Sequence, residues 1–199
     1  MVNESLPPGA TPLDPDEADG LIPSHVGTRG ELDELEEANI QEGLRWAHAK
    51  ALVPDRPADP LTEAFVFDLH REMFGAVWEW AGKVRLTDKN IGVDKFQVPA
   101  EVKKLVEDAR YWRDHGTYPA DELALRFHHR LVSIHPFPNG NGRHARMMAD
   151  IIIQQAGRPA FSWGGRSLDT TSELRTAYIT ALRSADQGDI EPLLKFSRS

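Results

Sequence analysis

Apolar residues recur every three to four positions along most of this chain, the spacing of one helical face. Leu123, Ala124, Phe127, Leu131 and Ile134 predict a helix over Glu122–Ile134. After a polar gap, Ala145, Met148, Ala149, Ile152 and Ala156 repeat the pattern until Gly157 and Pro159 end it. Upstream, a helix from Glu31 to about Ala51 offers Leu32, Leu35, Ile40, Leu44 and Ala47 as buried positions. Asp59-Pro60 supplies a cap and first turn for a helix to about Phe74, carrying Leu61, Phe65, Leu69 and Met73. Another runs from Pro99 to about Asp114, with Val102, Leu105, Val106, Ala109 and Trp112 inward. Thr171 to Ala185, with Thr170 and Glu173 as a capping box, and a short helix from Asp189 complete the set.

Two stretches break this rhythm. Between Trp80 and Val98, apolar and polar residues alternate on either side of Asp88-Lys-Asn-Ile-Gly, which predicts a short hairpin. Residues 1–30 are rich in proline, glycine and acidic groups without periodicity, and read as an extended or partly disordered arm. The expected architecture is all-α with one small β-ribbon: an arm over 1–30 and one helical domain over 31–199.

The chain has 199 residues, enough for a substantial core, and a formal charge of −8. That charge disfavours broad contact with nucleic acid, so no direct nucleic-acid binding is expected. The absence of cysteine excludes disulfides and thiolate chemistry. No apolar run approaches a membrane span and no secretory leader is evident, so a cytoplasmic protein without membrane attachment is expected.

The richest chemistry lies in the gap between two helices, from Ile134 to Arg146. Pro136 and Pro138 prevent one continuous helix. Gly140 and Gly142 permit a tight turn and close approach of a ligand, and their N–H groups near a helix start form an anion-binding concavity. Arg143 and Arg146 are three apart, so both guanidinium groups could reach phosphate oxygens. His135, at the preceding helix end, could accept a proton from a nucleophile approaching that phosphate. A polar turn with solvated arginines and a packed histidine is the plainer alternative. His128, His129, His135 and His144 lack a convincing metalloenzyme spacing.

His135 through Arg146 resembles the Fic (Fido) domain pattern His-x-Phe-x-Asp/Glu-Gly-Asn-Gly-Arg-x-x-Arg, with Asn139 at the usual carboxylate position. The resemblance implies transfer of AMP from ATP to a Ser, Thr or Tyr hydroxyl of a target protein. It makes His135 the base and Phe137 a core anchor, with Gly140, Asn141 and Gly142 as the anion hole and Arg143 and Arg146 on the phosphates. Asn139 takes the Mg²⁺ position; an amide oxygen can ligate but brings no charge. The 80–98 ribbon corresponds to a flap that holds the target by strand pairing. Another phosphate-linked transfer, such as phosphorylation, or a catalytically silent nucleotide- or partner-binding module remains open.

Many Fic proteins also carry an inhibitory helix with Ser/Thr-x-x-x-Glu-Gly/Asn. Ala38-Asn39-Ile40-Gln41-Glu42-Gly43 resembles it, making Glu42 the candidate inhibitory residue within the 31–51 helix. An exposed acidic residue is the plainer reading of Glu42. Over nearly its full length the chain is similar to the bacterial family called mobile mystery protein B, notably at Gly20-Leu-Ile-Pro-Ser-His, Asn90-Ile-Gly-Val-Asp and Phe161-Ser-Trp-Gly. That similarity implies a mobile-element setting and a helix-turn-helix partner protein.

Overall fold

The computed structural model describes residues 18–165 and 171–199. Its helices are α1 (Arg29–Ala51), α2 (Glu63–Phe74), α3 (Val98–Asp114), α4 (Ala120–Ile134), α5 (Asn141–Gln155), α6 (Thr171–Asp186) and α7 (Glu191–Arg198). The expected capping residue Thr170 and most of the 1–30 arm lie outside the described residues. Among the described residues no helix is long and apolar enough to cross a membrane.

Local chemistry sets several boundaries. The Thr28 hydroxyl accepts from Glu31 N–H, while the Glu31 carboxylate accepts from Thr28 N–H, a reciprocal cap that starts α1 at Arg29. The second helix begins later than expected. Thr62 is its cap, accepting from Phe65 N–H at 3.1 Å, while Asp59 accepts from Leu61 N–H in the preceding turn.

Helix α5 runs through the middle of the packing, against α4 and also against α1 and α2. Ala145, Met148, Ala149, Ile151, Ile152 and Ile153 are buried along it. α1 packs on α2, α3 on α4, and α6 on α7, so the start of α5 is enclosed by neighbouring elements.

The inward stripe of α1 is Glu36, Asn39, Ile40, Gly43 and Ala47 rather than a purely apolar row. Asn39 donates to Glu72 O and accepts from Ala76 N–H, both at 2.9 Å, and so closes the C-terminal end of α2. At Gly43, an added Cβ would lie 2.6 Å from Met73 Cγ and 2.9 Å from the Met73 backbone, so this glycine lets α1 approach α2.

The expected hairpin is absent. Residues 80–97 form turns and bends, and the isolated β-bridge among the described residues joins Leu21 to Trp78. The two arms of the segment bond to the end of α4 and the loop after it: Arg85 N–H donates to Pro136 O at 2.9 Å, and Val93 N–H to Ile134 O at 3.3 Å. With those groups committed to a third segment, a ladder between the arms has lost its partners.

Candidate active site

His135 is the C-cap of α4, with its N–H donating to Leu131 O at 3.1 Å. Its φ of 55° is left-handed, a conformation costing a non-glycine residue roughly 1–2 kcal/mol. The residue is buried, and burial pushes its imidazole down to about 4, assisted by the charges of Arg85 and Lys89. It is therefore neutral at neutral pH and able to accept a proton.

The loop after it is held by side chains on both sides. Asn141 clamps Phe137, accepting from its N–H at 2.9 Å and donating to its carbonyl at 2.8 Å. Phe137 is buried and stacks on His70 with ring centres 3.6 Å apart. Gly82 N–H donates to His70 Nδ1, which leaves the proton on Nε2 to donate to Asn139 O at 3.0 Å. Burial holds His70 well below the usual histidine range.

Gly140 is the N-cap of α5 at φ 77°, and an added Cβ there would lie 2.6 Å from Phe74 Cζ. The first helical bond of α5 runs from His144 N–H to Gly140 O at 2.9 Å. The N–H groups of Asn141, Gly142 and Arg143 therefore precede any helical acceptor and sit at the positive end of the helix dipole. A Cβ at Gly142 would meet nothing within 4 Å, so this turn has open space beside it.

The two arginines rest on different neighbours. Arg143 Nη1 lies 2.8 Å from Glu36 Oε2 and its guanidinium sits 5.0 Å from the Phe74 ring centre. Arg146 lies 5.5 Å from the Tyr178 ring centre on α6. The Tyr178 hydroxyl is 3.0 Å from His128 Nε2, behind the motif. Burial pushes the Tyr178 phenol up to about 12 and His128 down to about 3.

Glu42 does not reach the motif. Its side chain is 66% exposed and accepts from Arg45 Nε at 3.1 Å. Six residues advance a helix by about 600°, which leaves about 240° around its axis, so Glu42 and the inward Glu36 face different directions. Glu36 is buried, and its other oxygen accepts from Trp78 Nε1 at 2.8 Å. Sequence reasoning singles out neither Glu36 nor the two residues beside His135, Arg85 and Gly92; a Cβ on Gly92 would lie 2.8 Å from His135 Cβ. The positive φ of 106° at Gly92 gives its place in Asn90-Ile-Gly-Val-Asp a physical reason.

Asn139 Oδ1 accepts from Gly140 N–H at 2.6 Å. Among the described residues no group of three or more His, Asp or Glu side chains is placed to hold a metal ion. This donor set suits a Mg²⁺ arriving on a polyphosphate, not one held by protein ligands alone.

Fold and loop together define a helical domain built around a glycine-turned helix start with a buried histidine beside it. Residues 60–153 match the Fic/DOC family model, and this stretch is a Fic/DOC-family domain. The chain is similar to protein adenylyltransferase fic-1 of Caenorhabditis briggsae, 31% identical over 135 residues, covering 66% of this chain and 25% of that protein. Protein adenylyltransferase Fic of Nematostella vectensis is 26% identical over 169 residues, covering 83% of this chain and 37% of the relative. The chain thus spans well under half the length of these relatives. A Fic-domain signaling protein from Bacteroides thetaiotaomicron shares the fold with a TM-score of 0.68 and 24% identity, over 86% of this chain and 70% of that one. BepC from Bartonella tribocorum, solved with bound AMPPNP, has a TM-score of 0.66 and 20% identity, over 92% of this chain and 95% of its own.

Proposed function

We propose that this chain is a protein adenylyltransferase that moves AMP from ATP to a Ser, Thr or Tyr hydroxyl of a target protein. The observation that carries this reading is the neutral, buried His135 next to the unfilled hydrogen-bonding start of α5. His135 takes the hydroxyl proton; the freed oxygen attacks the α-phosphorus, forming one P–O bond as the bond to the β-phosphate oxygen breaks and pyrophosphate leaves. The N–H groups of Asn141, Gly142 and Arg143 bind the phosphate oxygens, with Arg143 and Arg146 as cations for the chain of phosphates. Mg²⁺, with Asn139 as one neutral ligand, would offset phosphate charge. The flap over 80–98 is the surface for the target segment.

The brake belongs to Glu36, not Glu42. Glu36 occupies Arg143 and so competes with a phosphate for the same guanidinium. Glu36→Gly is expected to raise self-labelling from α-labelled ATP roughly tenfold, the change that about 1.4 kcal/mol of competition represents. Glu42→Gly should leave it unchanged. His135→Ala in the Glu36→Gly background should abolish labelling while preserving the helical circular dichroism; retained labelling removes His135 from the reaction. Label from the γ-phosphate instead would make the chain a kinase. No label in any variant, with ATP still bound, would make it a silent nucleotide-binding module, the reading that the neutral Asn139 favours. The mobile-element setting and helix-turn-helix partner rest on family resemblance.

A further inference from the structure

Arg85 is the largest fully buried side chain of the described residues, only 1% exposed. Its Nε donates to His135 O at 2.7 Å and its Nη1 to Thr87 O at 2.7 Å, while Nη2 bonds Val93 O. Among the described residues the carboxylate near it is Asp88, 3.6 Å away and 60% exposed. A buried cation is usually matched by a close, equally buried carboxylate. Here three backbone carbonyls serve instead, two from the flap and one from His135. The last turn of α4 carries no basic residue of its own. Arg85 supplies that charge from another segment, at the negative end of the helix.

We propose that Arg85 is the positioning residue for the base: it fixes the left-handed backbone of His135 and ties the flap to it. Base and target-holding segment then keep one geometry. This rests on the reading of His135 as the base. Gly92 adds to the same junction by packing its backbone against His135 Cβ. The charged groups acting on the His135 ring are Arg85 and Lys89 of the flap, with the Val132 backbone from α4.

The test uses the full chain carrying Glu36→Gly, with Arg85→Lys and Arg85→Met added separately. Lysine keeps the charge but cannot span three carbonyls. Arg85→Lys is expected to lower kcat for self-labelling by about 10- to 100-fold, the cost of a displacement on the order of 1 Å, with KM for ATP changed less than about threefold. Arg85→Met should also move the NMR titration of the His135 ring upward, because a repelling cation is gone. An unchanged kcat in Arg85→Lys, or an unmoved His135 titration in a folded Arg85→Met, overturns the proposal. If Arg85→Met does not fold, the kcat and KM of Arg85→Lys decide. If the parent variant transfers no AMP, the adenylyltransferase reading fails by itself, and the His135 resonances of the two variants still judge the positioning role.

Discussion

Gly140 combines a positive φ with a ring 2.6 Å from its missing Cβ, so Gly140→Ala should cost about 2–4 kcal/mol in urea unfolding. Gly142, two residues on, is helical with open space, so Gly142→Ala should leave stability within about 1 kcal/mol. Under the proposed function its new methyl would stand where a phosphate approaches, and ATP affinity by calorimetry should fall. Unchanged affinity would remove Gly142 from the nucleotide site. In sequence the two are alike, glycines of one turn, because their different roles depend on Phe74, a residue far away in the chain. Glu36 was illegible for a related reason. A buried carboxylate breaks the apolar rhythm of α1, and its partners Trp78 and Arg143 are 42 and 107 residues away.

At the scale of elements, the helices were legible because each buries one stripe. The flap was not. Its alternation is real, yet Leu86 and Phe96 are both 83% exposed, and the inward positions meet the end of α4 and the loop after it instead of an opposing strand. Period-two patterning here reports neither which residues face inward, since Arg85 is buried and its neighbour Leu86 exposed, nor what they face. The same limit applies to Gly43. Its place after a glutamate points in sequence to an inhibitory motif, whereas the structure gives it a packing reason. Gly43→Val should lower the unfolding free energy by about 2 kcal/mol or more by forcing α1 from Met73. Full stability in that variant would mean that the two helices can separate without loss.

Across the whole molecule, buried histidines make stability depend on acid. His128 and His144 are pushed down to about 3 and His135 to about 4, mainly by burial, while His70 lies well below the usual range. Each stays neutral when folded but binds a proton at about pH 6.5 when unfolded, so falling pH favours unfolding. Each group should contribute a slope approaching about 1.4 kcal/mol per pH unit, from about pH 6.5 down toward its folded value. Asp150 opposes them: burial raises it to about 6, so its contribution is greatest in acid and is lost as pH rises from about 4 to 6. Four groups outweigh one, and urea midpoints should fall steadily below about pH 6.5. A flat profile down to about pH 4.5 would mean that these rings are hydrated.

The Leu21–Trp78 bridge ties the segment around Leu21 to the indole that bonds Glu36. Glu79 N–H donates to Gly20 O and Ile22 N–H to Val77 O, both at 2.9 Å, which pins the backbone on either side of the indole that steadies Glu36. Peeling that short strip away should let the indole swing, free the carboxylate and leave Arg143 open to nucleotide. A protease that trims the chain after Ile22 would then act as an on-switch, and trimmed protein should label itself as strongly as Glu36→Gly, with no further gain when both changes are combined.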